Sequence, residues 1–204
     1  MVTFPAFLRN FETYPQEGVA FELLSTLLGQ LTRVDFDLRV ANPSVNQGQM
    51  DSNLDKKLEN NILLALGASS IDFPLPTGVP QELDFAFKYA ERTIVVEIEK
   101  ANREKILRDI LKCHMYLHFG ADFAIVALPK NYPHAHGVWN LFDFGKQRFK
   151  ECNTYGFGTA ENLGRILLLG FQQFDAATNQ PLSVETRQRM RDQAMKAAFP
   201  CPTH

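Results

Sequence analysis

The sequence predicts an α/β domain in which a mixed β-sheet is flanked by helices. Two observations predict this class. Segments whose apolar residues recur at helical spacing alternate with short strand-like segments. Two of those strands, at residues 122–128 and 165–171, are almost wholly apolar, as strands covered on both faces are. The chain has 204 residues, of which 45% are hydrophobic, so it can bury one sizeable core, and we expect a single domain.

The first half of the chain predicts two helices and one strand. Residues 16–31 carry apolar side chains at helical spacing, and residues 33–40 alternate apolar with charged side chains as a half-buried strand does. Residues 41–49 have the composition of a loop. Leucine and isoleucine then recur along one face of a helix predicted over 51–66, with a capping side chain at its start.

The second half of the chain supplies the remaining strands. Strand-like alternation, apolar runs and helical spacing follow one another here, with glycine or proline at most of the boundaries. In order, they predict a hairpin of strands over 82–88 and 93–100, a helix over 103–119, the apolar strands 122–128 and 165–171, and a helix over 183–199.

Three acidic residues are expected to converge on this hairpin. Glu97 and Glu99 are two positions apart in a strand, so their side chains point to the same face. A hairpin turn centred between Ala90 and Glu91 places Asp84 directly opposite Glu97, at about 5 Å. Like charges this close destabilise a sheet unless something compensates them.

A divalent cation is the simplest compensation for such a cluster. Mg²⁺ prefers oxygen ligands and often takes one or two carboxylates, leaving the other positions to water and substrate phosphate. The arrangement therefore predicts a site for metal-assisted hydrolysis. The alternative is a solvated strand face on which the acids carry no function. An apolar strand is predicted after the next helix, which puts the acids near the middle of the domain and favours the metal site.

The order of these residues resembles the catalytic core of the PD-(D/E)XK nucleases. The run ELDF at 82–85 is followed by EIE at 97–99, then by a helix and the strand FAIVAL. In that superfamily an aspartate and a second acid hold Mg²⁺, and a residue two positions later, usually lysine, activates or orients water. A glutamate at that third position is similar to the BamHI and BglII branch of type II restriction endonucleases.

The resemblance implies a role for each acid. Asp84 matches the first acid and Glu97 the second, so both would bind Mg²⁺, with Mn²⁺ as a substitute. Glu99 stands where lysine is usual, and it would either accept a proton from the attacking water or bind a second ion. Lys100 is one position late and should point to the opposite face. Glu59, on the preceding helix, would add a helix carboxylate to the site, unless it is only a solvated surface residue.

The resemblance covers about residues 54–128. It therefore implies a restriction-endonuclease-like core at about 51–130 within one nuclease domain, 1–204. The remainder, 131–204, would complete the sheet and supply DNA contacts or a dimer interface.

Basic residues near the site are the candidates for DNA contacts, because Lys and Arg neutralise phosphates. Ordinary solvated surface charge is the alternative for each of them. A second basic segment, 142–158, interleaves lysine and arginine with aromatics and ends in glycines, and it is predicted to be a loop that touches DNA or packs at an edge. The candidates are Lys88, Lys100, Arg103, Lys105, Lys146 and Arg148.

Several other classes of protein are disfavoured. The net charge of −2 does not favour a protein that coats nucleic acid or membrane, and the sequence contains no stretch of the length and apolarity of a membrane span. Neither GxGxxG nor a Walker A motif occurs, so no nucleotide cofactor is expected. The chain has three cysteines, and this odd number predicts reduced thiols. His114 and His118 are spaced to bind zinc, but the sequence has no second cluster of ligands to complete such a site. We expect a cytoplasmic protein.

Together these observations predict a Mg²⁺-dependent type II restriction endonuclease that hydrolyses double-stranded DNA at a short specific site. A homodimer is expected, because a palindromic site is matched by two-fold symmetry and one chain carries one set of acids. The resemblance alone implies that such an enzyme would belong to a restriction-modification pair. The alternatives are a repair or junction-resolving nuclease on the same core, and a non-catalytic DNA-binding or scaffold protein.

Overall fold

The computed structural model describes residues 2–40, 54–76, 82–134 and 137–198. The strands are β1 (Val2–Tyr14), β2 (Val34–Val40), β3 (Ser69–Ile71), β4 (Phe85–Tyr89), β5 (Arg92–Ile98), β6 (Phe123–Pro129), β7 (Tyr132–His134), β8 (Gly137–Trp139), β9 (Ile166–Asp175) and β10 (Gln180–Pro181). The helices are α1 (Val19–Leu28), α2 (Leu54–Leu66), α3 (Lys105–His118), α4 (Leu141–Tyr155), α5 (Ala160–Leu163) and α6 (Val184–Ala198).

Three parallel strands form the centre of the main sheet. β5 pairs in parallel with β6, and β6 pairs in parallel with β9. Antiparallel strands extend the sheet on both sides in the order β2-β1-β9-β6-β5-β4-β3, and β10 pairs with β9 outside this path. β7 and β8 form a separate two-stranded sheet. The prediction of a mixed sheet flanked by helices is confirmed.

Helices cover both faces of the sheet and create two cores. Alternate residues of β6 point in opposite directions, and all of them are buried. Phe123 and Ile125 face the core formed with α1, α2 and α6, which we call the α2 side. Ala124 and Val126 face the core formed with α3 and α4, which we call the α3 side. β6 is thus covered on both faces, as its apolar sequence predicts.

The hairpin of β4 and β5 has the predicted register. Its turn consists of Ala90 and Glu91, whose φ angles of 47° and 60° are left-handed. A type I′ turn requires that conformation at both central positions, and its twist matches that of the strands. The resulting pairing places Phe85 opposite Val96.

The first strand is an element that the sequence did not predict. β1 runs between β2 and β9 and is antiparallel to both. Pro5 and Asn10 interrupt its pattern, because proline has no N–H to donate and Asn10 has a φ of 57°. The register with β9 shifts between Arg9 and Glu12, so β1 is also bulged.

The prediction of a loop over 142–158 is wrong, because most of that segment is α4. Asn140 caps the helix by accepting a hydrogen bond from the backbone N–H of Asp143. Gly156, with a φ of 70°, ends it. The predicted loop at 41–49 and the first residues of the helix predicted from residue 51 lie outside the described part of the chain.

Two glycines allow α4 to approach the sheet closely. A Cβ on Gly145 of α4 would collide with the side chain of Leu128 in β6. A Cβ on Gly170 of β9 would lie 2.8–2.9 Å from three ring carbons of Phe142, which is fully buried. The leucine methyl group can rotate away, whereas the packed ring has little room to move.

We expect Gly170→Ala to destabilise the fold by about 1–3 kcal/mol, because the added methyl group overpacks the contact with Phe142. Urea unfolding followed by circular dichroism measures the change. Gly164→Ala is the matched control, since its Cβ would have ordinary contacts at 3.5 and 3.6 Å and its φ is −64°. Equal stability of the two variants would contradict the packing argument.

Candidate active site

The candidate site lies at the carboxyl end of β5, where open α/β sheets usually bind ligands. Glu97 lies within β5 near its end, and Glu99 directly follows the strand. Alternation places both side chains on the α3 side, along with Val95. Glu97 is 5% exposed and Glu99 8% exposed, so two carboxylates are buried close together.

Asp84 joins this end of the hairpin. It directly precedes β4, and its Oδ2 accepts a hydrogen bond of 2.6 Å from the backbone N–H of Ile98. Asp84 is exposed as a whole residue, but protein atoms crowd its carboxylate, and this desolvation raises its pKa. The hydrogen bond from Ile98 partly opposes the shift. The positive charges of Lys100 and Lys112 also oppose the shift, and the pKa of Asp84 is nevertheless raised.

Glu97 is hydrogen-bonded at both of its oxygens. Its Oε2 accepts from the Nζ of Lys112 at 2.6 Å, and its Oε1 accepts from the hydroxyl of Tyr116 at 2.8 Å. Desolvation nevertheless raises the pKa of Glu97 to about 7, against the opposing effects of Lys112 and Tyr116. The negative charge of Asp84 raises it further, as expected for neighbouring carboxylates.

Helix α3 supplies both partners of Glu97. Lys112 and Tyr116 are four residues apart, so they lie one above the other on the same helix face. Lys112 also donates to the carbonyl oxygen of Glu82 at 3.0 Å, two residues before Asp84. One side chain thus connects the segment that carries Asp84 with the strand that carries Glu97.

Glu99 organises the connection from β5 to α3. Its Oε1 accepts hydrogen bonds of 2.9 Å from the backbone N–H groups of both Ala101 and Asn102. Within the described residues, both hydrogen bonds that Glu99 accepts are at Oε1. The charge of Glu99 also acts on Asp109 of α3, which is 3% exposed. Glu99 is therefore on the same side as Glu97, with one oxygen engaged by the turn.

On the α2 side, the acid next to Asp84 is Asp55. The charge of Asp55 raises the pKa of Asp84, and its Oδ2 accepts from the Nζ of Lys100 at 2.5 Å. Its Oδ1 is buried without a hydrogen-bond partner among the described residues. Lys100 thus reaches the side opposite to Glu97 and Glu99, as strand alternation predicts.

Glu59, the predicted helix carboxylate, is buried and has other partners. Its Oε1 accepts from Ser70 of β3, and its Oε2 accepts from Lys56, both at 2.9 Å. The contact with Ser70 holds α2 to β3, the strand that pairs with β4. The structure therefore does not bring Glu59 into contact with Asp84 or Glu97.

The predicted DNA-contact residues fall into different settings. Lys88 is exposed beside the hairpin turn, at the opposite end of β4 from Asp84, and Lys105 is exposed at the start of α3. The other four take part in ion pairs, which are Lys100 with Asp55 (2.5 Å), Arg103 with Glu104 (3.1 Å), Lys146 with Asp143 (2.6 Å) and Arg148 with Glu151 (2.6 Å).

Arg103 lies on an aromatic surface beside the site. Its guanidinium is 5.5 Å from the ring centroid of Trp139 and 5.3 Å from that of Phe144. Both distances are within the range of a cation–π contact, which limits the orientations of the exposed side chain. Arg103 is therefore presented at the edge between β5 and α3 in a restricted position.

The donor atoms of the site fit a hard cation. Asp84 and Glu97 bring two carboxylates to the end of β5, with both oxygens of Glu97 bonded to Lys112 and Tyr116, and the buried Oδ1 of Asp55 on the α2 side lacks a hydrogen bond within the described ranges. No group of three or more His, Cys, Asp or Glu side chains among the described residues is already arranged to hold a metal ion. Two carboxylates are the number that Mg²⁺ often takes from a protein, with water and phosphate completing its shell.

The histidine pair of α3 does not form a metal site with the described residues. Both ring nitrogens of His114 are buried without a hydrogen-bond partner in this part of the chain, and burial lowers the pKa of the ring. A Cβ on Gly158 would collide with that ring, so Gly158 packs directly on it. His118 is exposed and lies beside Phe119. This agrees with a packing role.

Sequence reasoning missed three participants, Asp55, Lys112 and Tyr116. Lys112 and Tyr116 lie on a helix whose rotation about its axis decides which side chains meet Glu97. Their four-residue spacing was a signal, but other spacings along α3 are equally regular. Asp55 lies one turn before Glu59 on α2, and the sequence did not show which of the two would face Asp84.

Asp109 should make the stability of the fold depend on pH. Desolvation, with Glu99 adding to it, raises the pKa of Asp109 to about 6, above its ordinary value. The folded state then binds a proton at Asp109 more tightly than the unfolded state does. The stability that this protonation contributes is present at pH 4 and is lost as the pH rises through 6.

We expect the change in unfolding free energy caused by Asp109→Asn to be more favourable at pH 8 than at pH 4, by on the order of 2 kcal/mol. Urea unfolding at the two pH values measures the difference. Asp192→Asn, at an exposed position of α6, is the control and should show no such difference. A pH-independent effect of Asp109→Asn would contradict the burial argument.

Comparison with known proteins gives no match to a protein-family model, a curated protein or a solved structure. In the described ranges, no helix has the length and apolar content needed to cross a membrane. The geometry and chemistry of the carboxylate cluster are therefore the basis for assigning a function.

Proposed function

We propose that the protein is a Mg²⁺-dependent endonuclease of the type II restriction class, which cuts double-stranded DNA at a short specific site. The observation that carries the proposal is the cluster of Asp84, Glu97 and Lys112 at the carboxyl end of β5. Asp84 and Glu97 are adjacent carboxylates with raised pKa values, and the ammonium group of Lys112 lies 2.6 Å from Oε2 of Glu97. The carboxylates can bind a cation, and the ammonium group can bind a phosphate.

In the proposed reaction, Asp84 and Glu97 would hold the cation. When bound, Mg²⁺ neutralises charge on the phosphate and lowers the pKa of the attacking water. The hydrogen bond from Ile98 fixes Asp84, so its other carboxylate oxygen is available. Lys112 contributes a positive charge to a non-bridging phosphate oxygen, since its ammonium group already lies next to Glu97.

Glu99 is the residue proposed to handle the water. Its Oε1 is engaged by the turn at residues 101–102, which leaves Oε2 to accept a proton or to bind a second ion. Because the turn holds the side chain at one oxygen, Glu99 has little rotational freedom. A restricted base is more effective than a mobile one, since less orientation must be gained during the reaction.

The DNA backbone is proposed to approach along the start of α3. Arg103 and Lys105 are exposed there, and Arg103 is oriented by Trp139 and Phe144. Backbone contacts of this kind set the position of a duplex and do not depend on its sequence. Reading of the bases would come from other segments. Lys146 and Arg148 lie on α4, where each pairs with an acid of the same helix that a phosphate would have to displace.

A homodimer in the cytoplasm is the proposed working form, in a restriction-modification pair. Each chain would supply one set of acids, and cutting both strands of a palindromic site takes two. A repair or junction-resolving nuclease and a non-catalytic DNA-binding or scaffold protein are the alternatives that the experiments below separate.

Incubation of plasmid DNA with the protein tests the reaction class. With Mg²⁺ we expect discrete bands, and with EDTA intact plasmid. A smear would indicate a nonspecific nuclease, and selective cutting of a branched DNA would indicate a junction-resolving enzyme. Intact plasmid with both Mg²⁺ and Mn²⁺ would reject the enzyme and favour the scaffold.

Asp84→Asn and Glu97→Gln should each lower the cleavage rate by at least about 10²-fold, because each removes a charge that holds the cation. The amide introduced by Asp84→Asn keeps an oxygen that can accept from Ile98, so the fold should persist. Gel-shift titration with Ca²⁺ in place of Mg²⁺ should show DNA binding within about threefold of the wild type. Asp192→Asn is the control for the loss of one acid, and full cleavage by either active-site variant would reject the assignment.

Lys112→Met should lower the cleavage rate by about 10²-fold, since it removes a positive charge from the phosphate but keeps the apolar stem of the side chain. The measurement is the single-turnover rate on the plasmid substrate at saturating Mg²⁺. Lys196→Met, an exposed change on α6, controls for the loss of one positive charge. An unchanged rate for Lys112→Met would show that Lys112 serves only to neutralise Glu97.

A further inference from the structure

Tyr116 combines complete burial with a hydrogen bond to a proposed metal ligand. Its side chain is among the largest that are fully buried, and its ring packs edge-on against Phe73, with the centroids 6.1 Å apart. A buried tyrosine hydroxyl needs a hydrogen-bond partner. Here it donates to Oε1 of Glu97 at 2.8 Å, and the carbonyl oxygen of Glu82 lies at 3.5 Å.

The two oxygens of Glu97 therefore differ in their surroundings. Oε1 is bonded to a rigid, fully buried side chain whose ring is fixed by packing. Oε2 is bonded to Lys112, a long side chain that is 11% exposed, also donates to the carbonyl oxygen of Glu82, and lies one helical turn nearer the start of α3. Rotation about the unbranched stem of Lys112 can carry its ammonium group to a phosphate, whereas the hydroxyl of Tyr116 cannot follow without moving the ring. Oε2 is thus the oxygen that can become available.

We propose that Tyr116 is a positioning residue that restricts Glu97 to binding the cation through Oε2 alone and thereby favours Mg²⁺ over Ca²⁺. This rests on the proposed function, since it assumes that Glu97 is a metal ligand. Mg²⁺ requires near-octahedral geometry and short bonds, which single-oxygen carboxylates provide. Ca²⁺ accepts both oxygens of one carboxylate at longer and more variable distances.

The hydroxyl can be removed without removing the ring. Tyr116→Phe keeps the contact with Phe73 and frees Oε1, so Glu97 can rotate and offer both oxygens. We expect the variant to bind Mn²⁺, used as the probe in place of Mg²⁺, about 10-fold more weakly, because partners that orient a metal ligand contribute about this much to affinity. Its Ca²⁺ affinity should change less, so the ratio of Mn²⁺ to Ca²⁺ affinity should fall several-fold.

The measurement is direct metal binding by the full chain without DNA, with free Mn²⁺ followed by electron paramagnetic resonance and Ca²⁺ by calorimetry. Tyr14→Phe removes a hydroxyl elsewhere, from a ring that packs edge-on against Phe149, and should leave the ratio unchanged. Phe73→Leu disturbs the packing of Tyr116 but keeps its hydroxyl, so it should lower the ratio less than Tyr116→Phe does.

The outcomes separate the two proposals. If the wild type binds Mn²⁺ and Tyr116→Phe has the same affinity ratio, the role of Tyr116 is overturned and the nuclease assignment stands. The same conclusion follows if Phe73→Leu changes the ratio as much as Tyr116→Phe, because packing alone would then be responsible. If the wild type binds no Mn²⁺, the cation site fails, and with it both proposals.

Discussion

The burial of Glu97 is the constraint on which the rest of the site depends. A carboxylate removed from water is costly unless charged or hydrogen-bonding groups replace its hydration. The fold supplies two such groups from one face of α3, Lys112 and Tyr116. Because these groups must lie within hydrogen-bond distance of a strand, they also fix how α3 is rotated and how far it lies from β5. The hydrogen bonding of Glu97 and the packing of α3 on the sheet therefore depend on the same two contacts.

The hairpin is the part of the site that the sequence predicts well, for a local physical reason. A two-residue turn determines the pairing of its strands, and alternation then determines which side chains share a face. Knowing the turn at Ala90 and Glu91 was sufficient to place Asp84 at the end of β5 beside Glu97. Strand alternation likewise separated Lys100 from Glu97 and Glu99. None of these steps requires knowledge of the rest of the fold.

Contacts between distant segments could not be predicted in the same way. β1 joins β9 through residues more than 150 positions apart, and neither Pro5 nor the left-handed Asn10 reads as part of a strand. The choice between Asp55 and Glu59 depends on the rotation of α2, and the choice of Lys112 depends on that of α3. The segment after Asn140 was misread because aromatic and basic residues with terminal glycines suit a loop as well as a capped helix.

The stacking of Arg103 on Trp139 has a practical consequence. Trp139 is the single tryptophan of the chain, so all indole fluorescence originates at the edge where α3 begins. A positively charged group above an indole alters its emission, and displacement of that group alters it again. The molecule thus carries an optical probe, free of added label, that reports on the position of the Arg103 guanidinium.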